Sequence, residues 1–144
     1  MNIMISIEIL APVVALVSWS MLMWVWMYAT RLPAISASKM KLDPNAPSGE
    51  QMASLPASVR WKADNYNHLM EQPTLFYALA ISLAIMGEGG GFNLYVAWAY
   101  VGLRIMHSLL QSLVNKIEVR FLLFLLSNLP LFVLTYSAAS FFVN

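Results

Sequence analysis

The chain has 144 residues, of which 60% are hydrophobic and only 10% charged, with a formal net charge of +1. So little polar surface cannot cover a soluble globule of this size, and the near-neutral balance gives no case for nucleic-acid binding. With no cysteine in the sequence, disulfides and a cysteine nucleophile are excluded, so sulfur chemistry would need a thiol brought by a ligand.

Four apolar stretches follow one another, at about residues 9–29, 69–86, 92–114 and 121–143, each close to the ~20 residues that a spanning helix needs. No segment alternates in the manner of a membrane barrel strand, and backbone groups in lipid must be satisfied internally. The expected fold is therefore all-α, one integral membrane domain over residues 1–144, a four-helix bundle with helices at about 7–30, 59–87, 92–115 and 119–142. The first stretch is expected to be retained rather than cleaved. Its apolar run is long, has no basic residue before it and ends in Met-Tyr-Ala-Thr-Arg31.

Between the first two helices lies a connection from Leu32 to about Ser58 with Pro33, Pro44, Pro47 and Pro56. It should be an irregular loop with room for a short surface helix. Arg31, Lys39, Lys41, Arg60 and Lys62 cluster around it, and Lys116 and Arg120 surround the third connection. Those two connections share one side, which the positive-inside rule makes cytoplasmic, with both termini outward. The second connection, Gly87-Glu-Gly-Gly-Gly91, has no lysine or preceding strand and reads as a tight turn rather than a phosphate loop. Trp24, Trp26 and Tyr28 near one interface and Phe92, Tyr95 and Trp98 near the other suit interfacial anchors. No internal repeat is apparent.

Polar residues at helical spacing carry the candidate chemistry. Asp64, His68 and Glu71 recur at i, i+4 and i+7 on the second helix, and Arg104, His107 and Gln111 at i, i+3 and i+7 on the third. At ~1.5 Å per residue, Glu71 lies roughly 24 Å in from the outer turn, with Arg104 and His107 at roughly 18 and 22 Å. A Glu71 to Arg104 ion pair is the simplest way to neutralise both charges. Such a pair, with Asn67 and His107 beside it, can be purely a helix lock. The further polar groups His68, Gln111, Asn115 and Arg120 exceed what a lock needs and suit a pocket for an anionic ligand. Pro73 adds a kink that opens space between helices. No metal is expected.

The stretch Ala63-Asp-Asn-Tyr-Asn-His68-Leu-Met-Glu71-Gln-Pro73, the stretch Trp98-Ala-Tyr-Val-Gly-Leu-Arg104-Ile-Met-His107-Ser, and the later Asn115 and Arg120 together resemble the bacterial branch of the MAPEG family, membrane-associated proteins in eicosanoid and glutathione metabolism. The resemblance covers essentially the whole chain. It implies a homotrimer, a glutathione site between subunits that opens to the cytoplasm, lipophilic small molecules as co-substrates, and location in a bacterial inner membrane. It also implies that Arg31, His68, Glu71, Arg104, His107 and Gln111 line the glutathione site and that Arg120 stabilises the thiolate as the catalytic cation. The chain departs from the family pattern at Asp64 and Asn67, where relatives carry arginines, at His68, where they carry asparagine, at Gln111, where they carry tyrosine, and at Phe121, where they carry serine. The expected function is a glutathione-dependent membrane transferase or peroxidase. The alternative is a non-catalytic binding or scaffold protein, and a transporter or proton relay comes third because one chain holds too few ionisable groups for a path.

Overall fold

A computed structural model describes residues 5–47 and 49–143. A 3-10 turn, Ile7–Ile9, leads into α1, Leu10–Ser38. A short α2, Glu50–Ala53, interrupts the following loop, and then come α3, Ala57–Glu71, α4, Pro73–Met86, α5, Gly91–Leu113, and α6, Ile117–Ser140. Among the described residues there is no strand.

The first helix runs eight residues past the position expected from the apolar stretch, through Pro33 to Ser38. The loop that carries α2 is correspondingly shorter. The second expected helix is two helices in line, because Pro73 has no N–H to donate to the preceding turn. Gln72 keeps a helical conformation, its N–H bonded to the His68 carbonyl at 3.4 Å, so the axis is interrupted but the chain keeps its direction. α4 ends at Gly87, whose φ of +79° suits glycine, with the Glu88 N–H bonded back to the Leu83 carbonyl at 2.9 Å. Asn115 closes α5 in the same way. Its φ is +51°, and its N–H reaches the Leu110 carbonyl at 2.7 Å.

Among the described residues, three helical segments are long and apolar enough to cross a membrane, Ile7–Ser38, Ala57–Met86 and Ile117–Ser140. α5, the remaining expected span, has 23 residues but is not among these three. Its buried face carries Asn93, Arg104, His107, Ser108, Gln111 and Ser112, and that polar row lowers its average hydropathy below its neighbours'. α5 packs against α6, α3 and α1, while α4 packs against α6 and α1.

The core is narrow. On α1 the buried positions Pro12, Leu16, Ser20, Met23 and Met27 form one stripe at helical spacing. They meet Leu69, Phe76, Ala80 and Leu83 from α3 and α4, Ala97, Tyr100 and Val101 from α5, and Leu131 and Leu134 from α6. The Phe76 and Tyr100 rings stack with centroids 4.5 Å apart. Large apolar side chains elsewhere, including Val14, Met21, Leu22, Leu75, Ile85, Leu122 and Phe132, are exposed, which suits lipid contact and not water.

Side-chain hydrogen bonds tie the helices together where lipid gives apolar contacts no preference over one another. Ser108 Oγ accepts from Trp19 Nε1 at 3.0 Å and from Asn65 Nδ2 at 2.8 Å, joining α5 to α1 and α3. Gln72 accepts from the Tyr100 hydroxyl at 2.7 Å and donates to Asn128 at 3.0 Å.

Candidate functional site

Arg104 is the centre of the polar region. Its side chain is fully buried at 0% exposure, and one nitrogen, Nη2, donates to His68 Nδ1 at 2.8 Å and to the His68 carbonyl at 3.4 Å. Nε and Nη1 are sealed from solvent without a partner. The expected Glu71 to Arg104 pair does not form. Leu69 is buried in the core whereas Glu71 is exposed, and two residues turn a helix by about 200°, so the carboxylate leaves the opposite face. Counting depth put the two groups level but ignored this rotation. No ion pair joins any two described residues, so Arg104 has no counter-charge among them. A buried charge without one is costly.

Helix register brings the two histidines together. His68 on α3 and His107 on α5 stack with centroids 4.9 Å apart and ring planes 22° apart. The edge of Phe124 from α6 closes on His68 at 5.5 Å. These three side chains, with Ile117, Arg120 and Phe121, line a cavity of about 190 Å³. Arg120 is steered by Asn115 Oδ1, which accepts from its Nη1, so the left-handed turn that ends α5 also orients a cation. Gln111, one turn beyond His107, is buried with its Oε1 unpartnered.

A second cavity, of about 230 Å³, lies where α1 meets α3 under the short helix of the loop. Arg31, Arg60, Asp64 and Asn67 supply its polar walls, with Gly49, Met52, Ala53 and Ala63. Arg31 Nε is sealed there without a partner.

The residues singled out by sequence therefore divide three ways. His68, Arg104, His107 and Arg120 come together, with Gln111 just beyond; Arg31 lines the other cavity; Glu71 faces away from both. Sequence reasoning missed Phe124 and Arg60. Arg60 was readable, since it stands at i−4 from Asp64 and i−7 from Asn67, on the same helical stripe. Phe124 carried no signal, being one apolar residue in an apolar run. Among the described residues no group of three or more His, Asp or Glu is placed to hold a metal.

No curated protein and no solved structure matches the chain. A family model described as the MAPEG family matches residues 9–140, from the start of the first membrane helix to the end of the last. Together with three membrane-length apolar helices this makes the chain an integral membrane protein, and it belongs to the MAPEG family.

Proposed function

We propose that the chain is a glutathione-dependent transferase or peroxidase acting on lipophilic electrophiles within the membrane, with α5 as a fourth span and three copies forming the working unit. The observation that carries the proposal is the uncompensated cationic centre. Arg104 is fully buried, Arg120 lines the cavity beside it, and no carboxylate among the described residues pairs with either. Such a site favours an anion, and membership of the family favours glutathione, which supplies the thiolate nucleophile. Arg31, which lines the second cavity, suits a ligand carboxylate.

Size supports assembly. Pockets for small ligands run to about 300–1,000 Å³, and the two cavities measure about 230 and 190 Å³. A tripeptide exceeds either one, so a cavity of one subunit facing the other cavity of its neighbour would accommodate it. Glu71, exposed on the outer face of α3, would then serve the neighbouring chain's ligand or cations. The rival reading, a non-catalytic membrane binding or scaffold protein, draws on the same division of residues between two cavities within one chain.

Arg120 gives the direct test. A free thiol has a pKa of about 8.5 and is mostly protonated at neutral pH; a permanent cation beside it raises the thiolate fraction. Arg120→Leu should lose conjugation of glutathione with a chlorodinitrobenzene at pH 7 and recover part of it as the pH approaches 8.5. Turnover equal to wild type at pH 7 would remove Arg120 from this role, and a wild type without turnover would leave the scaffold reading standing.

A further inference from the structure

We propose that His68 is a fixed hydrogen-bond donor, neutral and protonated at Nε2, which stabilises negative charge developing on oxygen in the cavity it shares with His107 and Arg120. The inference rests on the thiol-dependent reading above and adds a residue role, one that serves electrophiles whose reaction with a thiolate leaves an oxyanion, such as hydroperoxides.

The tautomer follows from the partner. A guanidinium has five N–H donors, no acceptor, and does not deprotonate in proteins. Because Arg104 Nη2 lies 2.8 Å from His68 Nδ1, Nδ1 must be the acceptor. The proton of the neutral ring is therefore on Nε2. A doubly protonated ring would set N–H against N–H and cation against cation at that distance. The ring is also held in orientation: Arg104 grips the His68 carbonyl as well, His107 stacks on one face and Phe124 closes edge-on.

Nε2 is free to act. It has no hydrogen-bond partner among the described residues, and it is not one of the polar atoms sealed without a partner, as Arg104 Nε and Nη1 are. It opens instead on accessible space, and His68 forms part of the cavity wall together with Arg120. A pre-oriented neutral imidazole N–H in a low-dielectric site is suited to an oxygen on which charge builds up. In the hydroperoxide reaction a thiolate sulfur attacks the terminal oxygen. A sulfur–oxygen bond forms as the oxygen–oxygen bond breaks, and the electron pair leaves on the alkoxide oxygen. That oxygen accepts the Nε2 hydrogen bond and then a proton from water. The sulfenic acid reacts with a second thiol to give disulfide and water, so the thiol is oxidised and the peroxide reduced. Displacement of halide from a benzyl chloride places no charge on oxygen and gains nothing from this donor.

Two measurements test the proposal. The sequence has only two histidines, so ¹⁵N-histidine labelling resolves each ring in detergent. At pH 7 the His68 ring should be neutral with the proton on Nε2, and Arg104→Met should release it into a mixture of tautomers. In turnover, His68→Leu should lower kcat/KM for cumene hydroperoxide at least roughly tenfold more than for benzyl chloride, since loss of one oxyanion donor costs on the order of 10²-fold. His68→Asn, whose amide can accept from Arg104 but carries its donor short of the Nε2 position, should keep the contact with Arg104 and leave that ratio lowered. A doubly protonated ring, a proton on Nδ1, or equal losses with the two substrates would overturn the inference while leaving thiol-dependent turnover intact. A wild type that turns over neither substrate would overturn the function proposed above, and the catalytic use of His68 with it.

Discussion

Ser108 shows how much a single small residue can hold in this fold. Its hydroxyl, fully buried, accepts from both Trp19 and Asn65, and so links three helices at one atom. Ser108→Ala would leave an indole N–H and an amide N–H without a partner away from water. Each orphaned buried donor costs about 1–3 kcal/mol, so thermal unfolding in detergent should show a clear loss of stability, whereas Ser18→Ala, on exposed α1 surface, should show almost none. Residue-level legibility in the sequence was uneven for a physical reason. A charge or imidazole in an apolar run announces itself, and Arg104, His107 and His68 did so. Their pairing did not. Glu71 and His68 stand at similar depth, and only the rotation of α3 about its axis decides that the imidazole meets Arg104 while the carboxylate points outward.

At the level of elements, the breaks matter more than the helices. Beside the interruption at Pro73, in the middle of a membrane-length segment, the Gln72 side chain binds Tyr100 on α5 and Asn128 on α6. Pro73 and the apolar runs were visible in the sequence, but neither shows which groups on α5 and α6 the Gln72 side chain meets. The continuation of α1 to Ser38 was equally hidden, because Pro33 reads as a breaker in isolation and is tolerated within a helix that neighbouring elements support. The opposite end of the molecule is fixed by the glycine turn. The Ser6 N–H bonds the Ala84 carbonyl at 2.9 Å, and a Cβ on Gly89 would lie 2.7 Å from both Ile9 Cγ2 and the Ser6 carbonyl oxygen. Because one of those atoms is backbone, the contact cannot be relieved by a rotamer change. Gly89→Ala should therefore destabilise this end by about 1–3 kcal/mol, the usual cost of overpacking, measurable as a lower unfolding temperature. An unchanged unfolding temperature would show that the 3-10 turn does not rest on the glycine loop.

For the whole molecule, the balance of buried and exposed apolar surface is the clearest consequence of composition. One narrow stripe per helix is buried and the remaining apolar faces are exposed, as expected of a chain surrounded by lipid and by other copies of itself. The separation of the two cationic cavities, each too small for a tripeptide, leads to the assembly expected here. Mass measurement in mild detergent should give three chains per particle, and a stable monomer that still binds glutathione would sink that part of the proposal. The all-helical class and membrane residence were legible in the composition and in the length of the apolar stretches. The expected trimer rests on family resemblance, because no single chain's sequence records which exposed apolar face meets lipid and which would meet a second copy. The most direct test of the whole reading is the ultraviolet absorbance of the thiolate when glutathione is added to the purified wild-type protein at pH 7. Saturable thiolate formation in the wild type and none in Arg120→Leu is the expected result; wild-type protein that produces no thiolate signal at any glutathione concentration would contradict it.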